Sequence, residues 1–446
     1  MRSILLTILF TFLVQGIMCQ QQLSLSDAIQ IGLSNNFGIR IEQVNREIAR
    51  NNNTWGEAGR YPTIDISVGQ NNGISDIDNP ASFLQGKVGS NDLNPVVVAR
   101  WMLFDGFKVK INKSRLELLE AQSDGNTEIV IENAVQAIVI AYYTVLLEKE
   151  GLEVLKEILT LSGDRYQHVL VRKQLGSAVT FDILQDKNAY LTDSSNYVLQ
   201  QLVYQNAQRD LNLLLAEDLS KRYELTGSLN SLIHHYDYQD LFEKMTQNNS
   251  NLRNQYINQE LMRNSVSLNK AARSPSLDVN LGYSYSKNWQ DLSNANFGDE
   301  SGPEEIIKSR NTNYFANFTL AFTLFDGGRI NRQIKNARIQ ESMASLETED
   351  MKLSLSNDLL SALDRYNVRK KLLQISEESL ENASLNLDLS EERYNNGTIN
   401  SFNYRDIQVS YLQAALRNLE SKFDLIQTDT ELLRLTGGIL ESFAGL

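Results

Sequence analysis

The sequence has 446 residues, 42 basic and 55 acidic side chains, and a net charge of −13. So long a chain exceeds one ordinary compact core, which points to two domains, a repeat or an elongated fold. So acidic a balance argues against nucleic acid as a partner, because phosphate needs a basic face. Five prolines in that length suit long uninterrupted helices. In chain order, residues 1–19 read as a signal peptide. Arg2 is the positive start, and 4–14 is an apolar core too short to span a bilayer. Cleavage is expected after Cys19, the only cysteine; a lipid anchor on Cys19 is the alternative, and Met18 stands against it. The mature chain has no pairing thiol and no disulfide framework. No later stretch approaches 18 apolar residues, so no transmembrane helix is expected, while a transmembrane β-barrel stays open.

The mature chain reads as one unit written twice. At an offset of 213, Asp27 meets Asp240, Asn36 meets Asn249, Arg40 meets Arg253 and Arg60 meets Arg273. At an offset of 221, Leu103 meets Leu324, Gly106 meets Gly327, Gly176 meets Gly397 and Tyr190 meets Tyr411. The register changes once, between about 70 and 93, where Gly, Asn, Asp and Pro read as a loop. The first repeat is 20–216: a helix, strands 61–73 and 94–104, a long helix 106–175 and a helix 178–216. A linker, 217–236, precedes the second repeat, 237–437: a helix, strands 275–288 and 312–325, a long helix 327–396 and a helix 400–437. A tail, 438–446, closes the chain.

The strands alternate with period two. Leu277, Val279, Leu281, Tyr283 and Tyr285 share one face, with Asp278, Asn280, Ser284 and Ser286 opposite. Tyr314, Phe318, Leu320 and Phe322 repeat the pattern, as do Ile64, Ile66 and Val68, then Val97, Ala99 and Trp101, with Arg100 on the polar face. An antiparallel sheet on a soluble core fits this, and so does a lipid-facing barrel with Arg100 in a wet lumen. Four strands cannot close a barrel, since about eight is the minimum, so a membrane barrel requires several chains. Each long helix covers about 70 residues, roughly 105 Å at 1.5 Å per residue, which suggests coiled-coil packing. Leu359, Tyr366, Leu373, Leu380, Leu387 and Tyr394 are spaced by seven, with small Ala362, Ser376 and Ser390 three residues on. Ile138, Val145, Leu152, Leu159 and Tyr166 give the equivalent line in the first copy. Phe104-Asp105-Gly106 and Phe325-Asp326-Gly327 mark the turns from strand into long helix. The aspartates cap free amides, the glycines allow the change of direction, and each phenylalanine suits a membrane interface.

The segments LSLSDAIQIGLSNN and ERYNNGTINSFNYRDIQVSYLQAA, with the two FDG junctions and the duplication, resemble the TolC-like outer-membrane efflux proteins of Gram-negative bacteria over nearly the whole mature chain. The resemblance implies a mainly α fold with a transmembrane β-barrel part. Four strands per chain would enter a shared 12-stranded barrel of a homotrimer in outer-membrane lipid, above a long α-helical coiled-coil barrel in the periplasm. It implies a periplasmic adaptor (a membrane fusion protein) and an inner-membrane RND or ABC pump as partners, and no cofactor. It also implies a gate just past the tip turns at Gly176 and Gly397. Asp406 stands at one acidic position of that gate, Asn403 at the other, Asp182 at a third polar position and Tyr394 at a locking tyrosine. Ile399 departs from the arginine of some members. A solvated helix surface is the plain alternative for Asp406 and Asp182.

Little points to chemistry. His234-His235 lies in a linker with His168 the only other histidine, and there is no His-Glu-x-x-His, P-loop, dinucleotide or Gly-x-Ser-x-Gly pattern. The leading expectation is a passive exit duct for a pump. A periplasmic structural coiled-coil protein and an exported enzyme are the competing readings.

Overall fold

The computed structural model describes residues 21–230, 233–298, 300–301 and 306–443. The expected signal peptide with Cys19, part of the linker and the last three residues lie outside them. The chain is mainly helical and forms two compact units. Among the described residues, one comprises 21–46, 123–256 and 348–443, and the other 47–122 and 257–347. These units are not the two sequence repeats, because each draws segments from both copies.

The elements are β1 (Gln21–Leu23), α1 (Leu25–Asn35), α2 (Phe37–Asn52), β2 (Thr63–Ile77), β3 (Leu84–Phe104), α3 (Lys108–Gln174), α4 (Thr180–Leu214) and β4 (Tyr223–Leu225). The second copy follows with α5 (Tyr238–Asn248), α6 (Ser250–Ala271), β5 (Ser276–Phe297), β6 (Glu300–Ser301), β7 (Ile307–Ala321), α7 (Arg329–Asn395), α8 (Ser401–Leu435) and α9 (Ile439–Phe443). Both long helices have 67 residues. The single leading helix expected in each repeat is instead broken, at Asn36 and Asn249. Asn36 Oδ1 accepts from Gly38 N at 2.9 Å, and its Nδ2 donates to Leu214 O at 3.1 Å. Asn249 Oδ1 accepts from Leu252 N at 3.0 Å, and its Nδ2 donates to Leu435 O at 3.0 Å. The same asparagine in each copy caps one helix and satisfies the open C-terminal end of another. Asn249 is buried, so Asn249→Ala should cost about 1–3 kcal/mol, since it orphans buried backbone groups; denaturant unfolding of the purified protein measures it.

In the mainly helical unit, β1 pairs in parallel with β4. Around them Ala28, Ile29, Val135, Ile138, Val139 and Tyr142 pack with Leu211 and Leu225. The second copy builds its own cluster from Leu241, Met245, Leu359, Tyr366, Leu373 and Leu432. The seven-residue line of α7 is buried at Leu359, Tyr366, Leu373, Leu387 and Tyr394. In α3 the line drifts: Ile138 and Val145 are buried, but Ile158, Ser162 and Arg165 replace Leu159 and Tyr166 on the inner face. One sequence expectation needs correction. Part of α3 is apolar enough to cross a membrane by composition, contrary to the reading that no such stretch exists. Its Val135, Ile138, Val139, Tyr142, Val145 and Leu146 are instead the core of the first cluster, which accounts for the apolar run.

In the other unit the four long strands form one antiparallel sheet in the order β2-β3-β5-β7, with short β6 also against β5. The register confirms the alternation. Ile64 lies opposite Ala99, Ala99 opposite Leu281 and Leu281 opposite Ala316; the next row on that face runs Ile66, Val97, Tyr283, Tyr314. Arg100 sits on the other face and forms an ion pair with Asp65. The strands outrun their expected limits. The Asn- and Gly-rich stretch read as a loop is mostly ladder, with Asn71 opposite Asp92 and Asn72 opposite Asn91. Backbone hydrogen bonds hold a ladder whatever the side chains, so the polar extension carried no apolar period to read. β7, by contrast, ends at Ala321 and leaves 322–328 outside the sheet, so the second junction is not the direct strand-to-helix step expected. β2 and β7 are the outer strands, and each runs 15 residues.

At the junctions Asp105 Oδ2 accepts from Val109 N at 3.1 Å, and Asp326 Oδ2 accepts from Ile330 N at 2.7 Å. These helix amides hold the Asp326 carboxyl below its ordinary range. Gly106 and Gly327 have φ of 72° and 67°. Phe107 has φ of 70° where the second copy has Gly328 at 77°, so the first copy keeps a strained aromatic, packed edge-on against Phe104 at 5.3 Å.

Candidate functional site

The two tip turns are built alike. Gly176 and Gly397 take φ of 75° and 71°, the left-handed conformation that ends a helix. Ser177 N donates to Arg172 O at 2.9 Å, and Thr398 N to Arg393 O at 2.8 Å. The hydroxyls of Ser177 and Thr398 donate to the same two carbonyls. Each turn is therefore a hydrogen-bonded helix stop that leads into the return helix.

The expected gate residues occupy different environments. Asp182 Oδ2 accepts from Val179 N at 3.2 Å and so caps α4. Asn403 is exposed, and its backbone N–H donates to Asn400 Oδ1 at 2.8 Å at the start of α8. Asp406 is exposed on α8. Tyr394 is buried; its ring stacks on Tyr404 at 4.9 Å and meets His168 edge-on at 5.3 Å. Burial first, and the Asp186 charge second, push the Tyr394 phenol up. Among the described residues no hydrogen bond or ion pair joins Asp406, Asn403, Asp182 and Tyr394 to one another.

What the tip does join is a buried ionic network that sequence reasoning missed. Arg165 Nε on α3 lies 2.9 Å from Asp186 Oδ1 on α4, with the two side chains 1% and 2% exposed. Arg165 Nη1 donates to Gln408 Oε1 on α8 at 2.6 Å, and Ser401 Oγ donates to Asp186 Oδ1 at 2.5 Å. One helical turn or two further along, Arg405 makes two bonds, at 2.7 and 2.8 Å, to the buried carboxylate of Asp193. Burial pushes the Arg165 guanidinium below its ordinary value, opposed by Asp186. The pairing ties α3 and α4 of the first copy to α8 of the second, although Arg165 Nη2, Asp186 Oδ2 and Gln408 Nε2 are buried without a hydrogen-bond partner among the described residues. A cavity of about 260 Å³ beside it is lined by Arg165, His168, Glu391, Tyr394 and Tyr404. One signal in the sequence could have found it. At the offset of 221, Arg165 meets Asn386, Asp186 meets Ile407 and Asp193 meets Ala414, so the network lies where the copies differ. Among the described residues no group of three or more His, Cys, Asp or Glu is placed to hold a metal.

Comparison with known proteins adds to this geometry. Residues 241–438 match the family model described as outer membrane efflux protein. The chain is 22% identical over 321 residues to the outer membrane protein TolC of Vibrio cholerae serotype O1, which covers 72% of this chain and 71% of that one. The fold superposes on the CmeC outer membrane channel of Campylobacter jejuni with a TM-score of 0.75 at 15% identity, covering 93% of this chain and 85% of that one. It also superposes on a membrane protein from Pseudomonas aeruginosa with a TM-score of 0.74 at 17% identity, covering 93% and 90%. Each of these similarities is to an outer-membrane or membrane protein, and the family model among them is that of outer membrane efflux proteins.

Proposed function

For a chain of the TolC-like outer-membrane efflux kind, we propose that it is the exit duct of a tripartite efflux or type I secretion system. Three copies share one barrel and conduct substrate passively from an inner-membrane pump and its periplasmic adaptor. The observation that carries the reading is the sheet. It has an apolar face open to the surroundings, with Ile64, Ile66, Tyr314 and Phe318 each more than 60% exposed, and two outer strands with nothing paired beyond them among the described residues. A soluble protein would cover such a face and blunt such edges. Joining β2 of one copy to β7 of the next removes every edge, and three copies make twelve strands, above the roughly eight needed for closure. Residues 108–174 and 329–395, with their return helices, then line a coiled-coil conduit, and the chain performs no covalent chemistry.

Native mass of the protein extracted from outer membranes in mild detergent tests this. A species of three chains supports the shared barrel. A monomer that stays soluble without detergent overturns it in favour of a periplasmic coiled-coil protein. Within the duct, Asp406, with Asn403 beside it, forms the acidic constriction, because three symmetry-related carboxylates near an axis favour cations. Asp406→Ala should raise single-channel conductance or lower cation preference in planar bilayers; currents unchanged in both respects would remove Asp406 from the gate. Asp182 and Tyr394 keep the tip helices in place beside it.

A further inference from the structure

A net charge of −13 hides a belt of the opposite sign. In the unit that carries the sheet, both long helices open on cations with no acid in the first turn: Lys108 and Lys110 in α3, Arg329 and Arg332 in α7. Inside the helices the first acids are Glu117 and Glu341, beyond the capping Asp105 and Asp326. A helix start ordinarily favours acids, because its free amides already carry the positive end of the dipole. Here the capping Asp105 and Asp326 supply that acid, and the cations that follow them recur in both copies. Lys110, Arg329 and Lys335 are exposed. Among the described residues Lys110 and Lys335 make no ion pair, while the Arg329 charge lies near enough to the capping Asp326 to help hold its carboxyl down.

The belt adjoins the end of the apolar strand face. Trp101 lies on that face, and its Nε1 donates to Arg60 O at 2.9 Å. The Arg60 guanidinium lies over the Trp55 ring at 4.9 Å. In the second copy Phe322, Leu324 and Phe325 are 60%, 89% and 86% exposed just before Arg329. In both copies these cations follow directly on the strand-to-helix junction. An apolar face that ends in aromatics and then in exposed cations is complementary to one surface, the phosphate layer of a bilayer leaflet.

We propose that this belt binds the headgroup phosphates of anionic phospholipid in the leaflet that meets the strand-to-helix junctions, and so fixes the depth of the sheet. The inference rests on the membrane-spanning reading above. The test uses the reconstituted trimer carrying Trp289→Phe, which leaves Trp55 and Trp101 of the chain's three tryptophans as reporters. Fluorescence quenching by brominated phosphatidylglycerol is compared with quenching by brominated phosphatidylcholine. The anionic lipid should be preferred by about fivefold for each engaged cation at low salt. High salt should weaken that preference. Lys110→Gln, Arg329→Gln and Lys335→Gln together should abolish it, and the exchange of each cation for the other basic residue (Lys for Arg, Arg for Lys) should keep it. Equal quenching by both lipids, or a preference unchanged in the triple variant, overturns the lipid site while leaving the barrel intact. Quenching by neither lipid shows a face that does not meet the bilayer, and the duct reading falls with it.

Discussion

Arg165→Ala is expected to destabilise the helical unit by about 3–5 kcal/mol, because it strands the buried Asp186 carboxylate without its cation. Both side chains are almost wholly out of water, so solvent screening does not soften the loss. Arg165→Met combined with Asp186→Leu should recover most of it, since an apolar pair of similar volume removes both desolvation costs. Arg405→Ala should act in the same direction and less strongly, because Arg405 is 21% exposed and water can enter beside Asp193. Hydrogen exchange at the tip ends of α3, α4 and α8 reads the local effect, and denaturant unfolding reads the whole. Equal losses for Arg165→Ala and the double variant would mean that shape, not charge, holds the tip.

Ile66→Arg should cost about 2–4 kcal/mol per chain when the protein inserts into lipid, because it puts a guanidinium on the apolar face in mid-strand. Ile66 is 74% exposed and in line with Val97, Tyr283 and Tyr314. Its neighbour Ser67 points to the opposite face, so Ser67→Arg should change insertion little. The yield of folded trimer in vesicles, measured for both variants, separates the readings. If the two behave alike, the two faces do not differ in solvent and the strands are not a membrane wall. The contrast requires no knowledge of cargo or pump.

Much of this arrangement is legible in the sequence because its determinants are periodic or local. Strict alternation fixed which strand residues share a face, and the register across four strands agrees with it. Seven-residue spacing identified the buried line of α7, and Gly176, Gly397, Asp105 and Asp326 marked the turns and caps through their own backbone chemistry. Self-comparison exposed the duplication, down to the paired Asn36 and Asn249, although their role as helix breaks did not follow from it.

What only the tertiary structure decided lies where contacts are distant in sequence or are carried by backbone alone. The polar halves of β2 and β3 pair through main-chain bonds that leave no mark in side-chain pattern. Arg165 and Gln408 are 243 residues apart, so no local rule links them. The apolar run of α3 has the composition of a membrane helix, and only its packing against α1 and α4 reveals a core helix. Asp182, expected at the gate, also accepts from Val179 N and so caps its own helix, a contact its sequence position did not announce. Period and propensity act over a few residues and can be read in one dimension, but the partner of a buried charge is chosen by which helices the fold brings side by side.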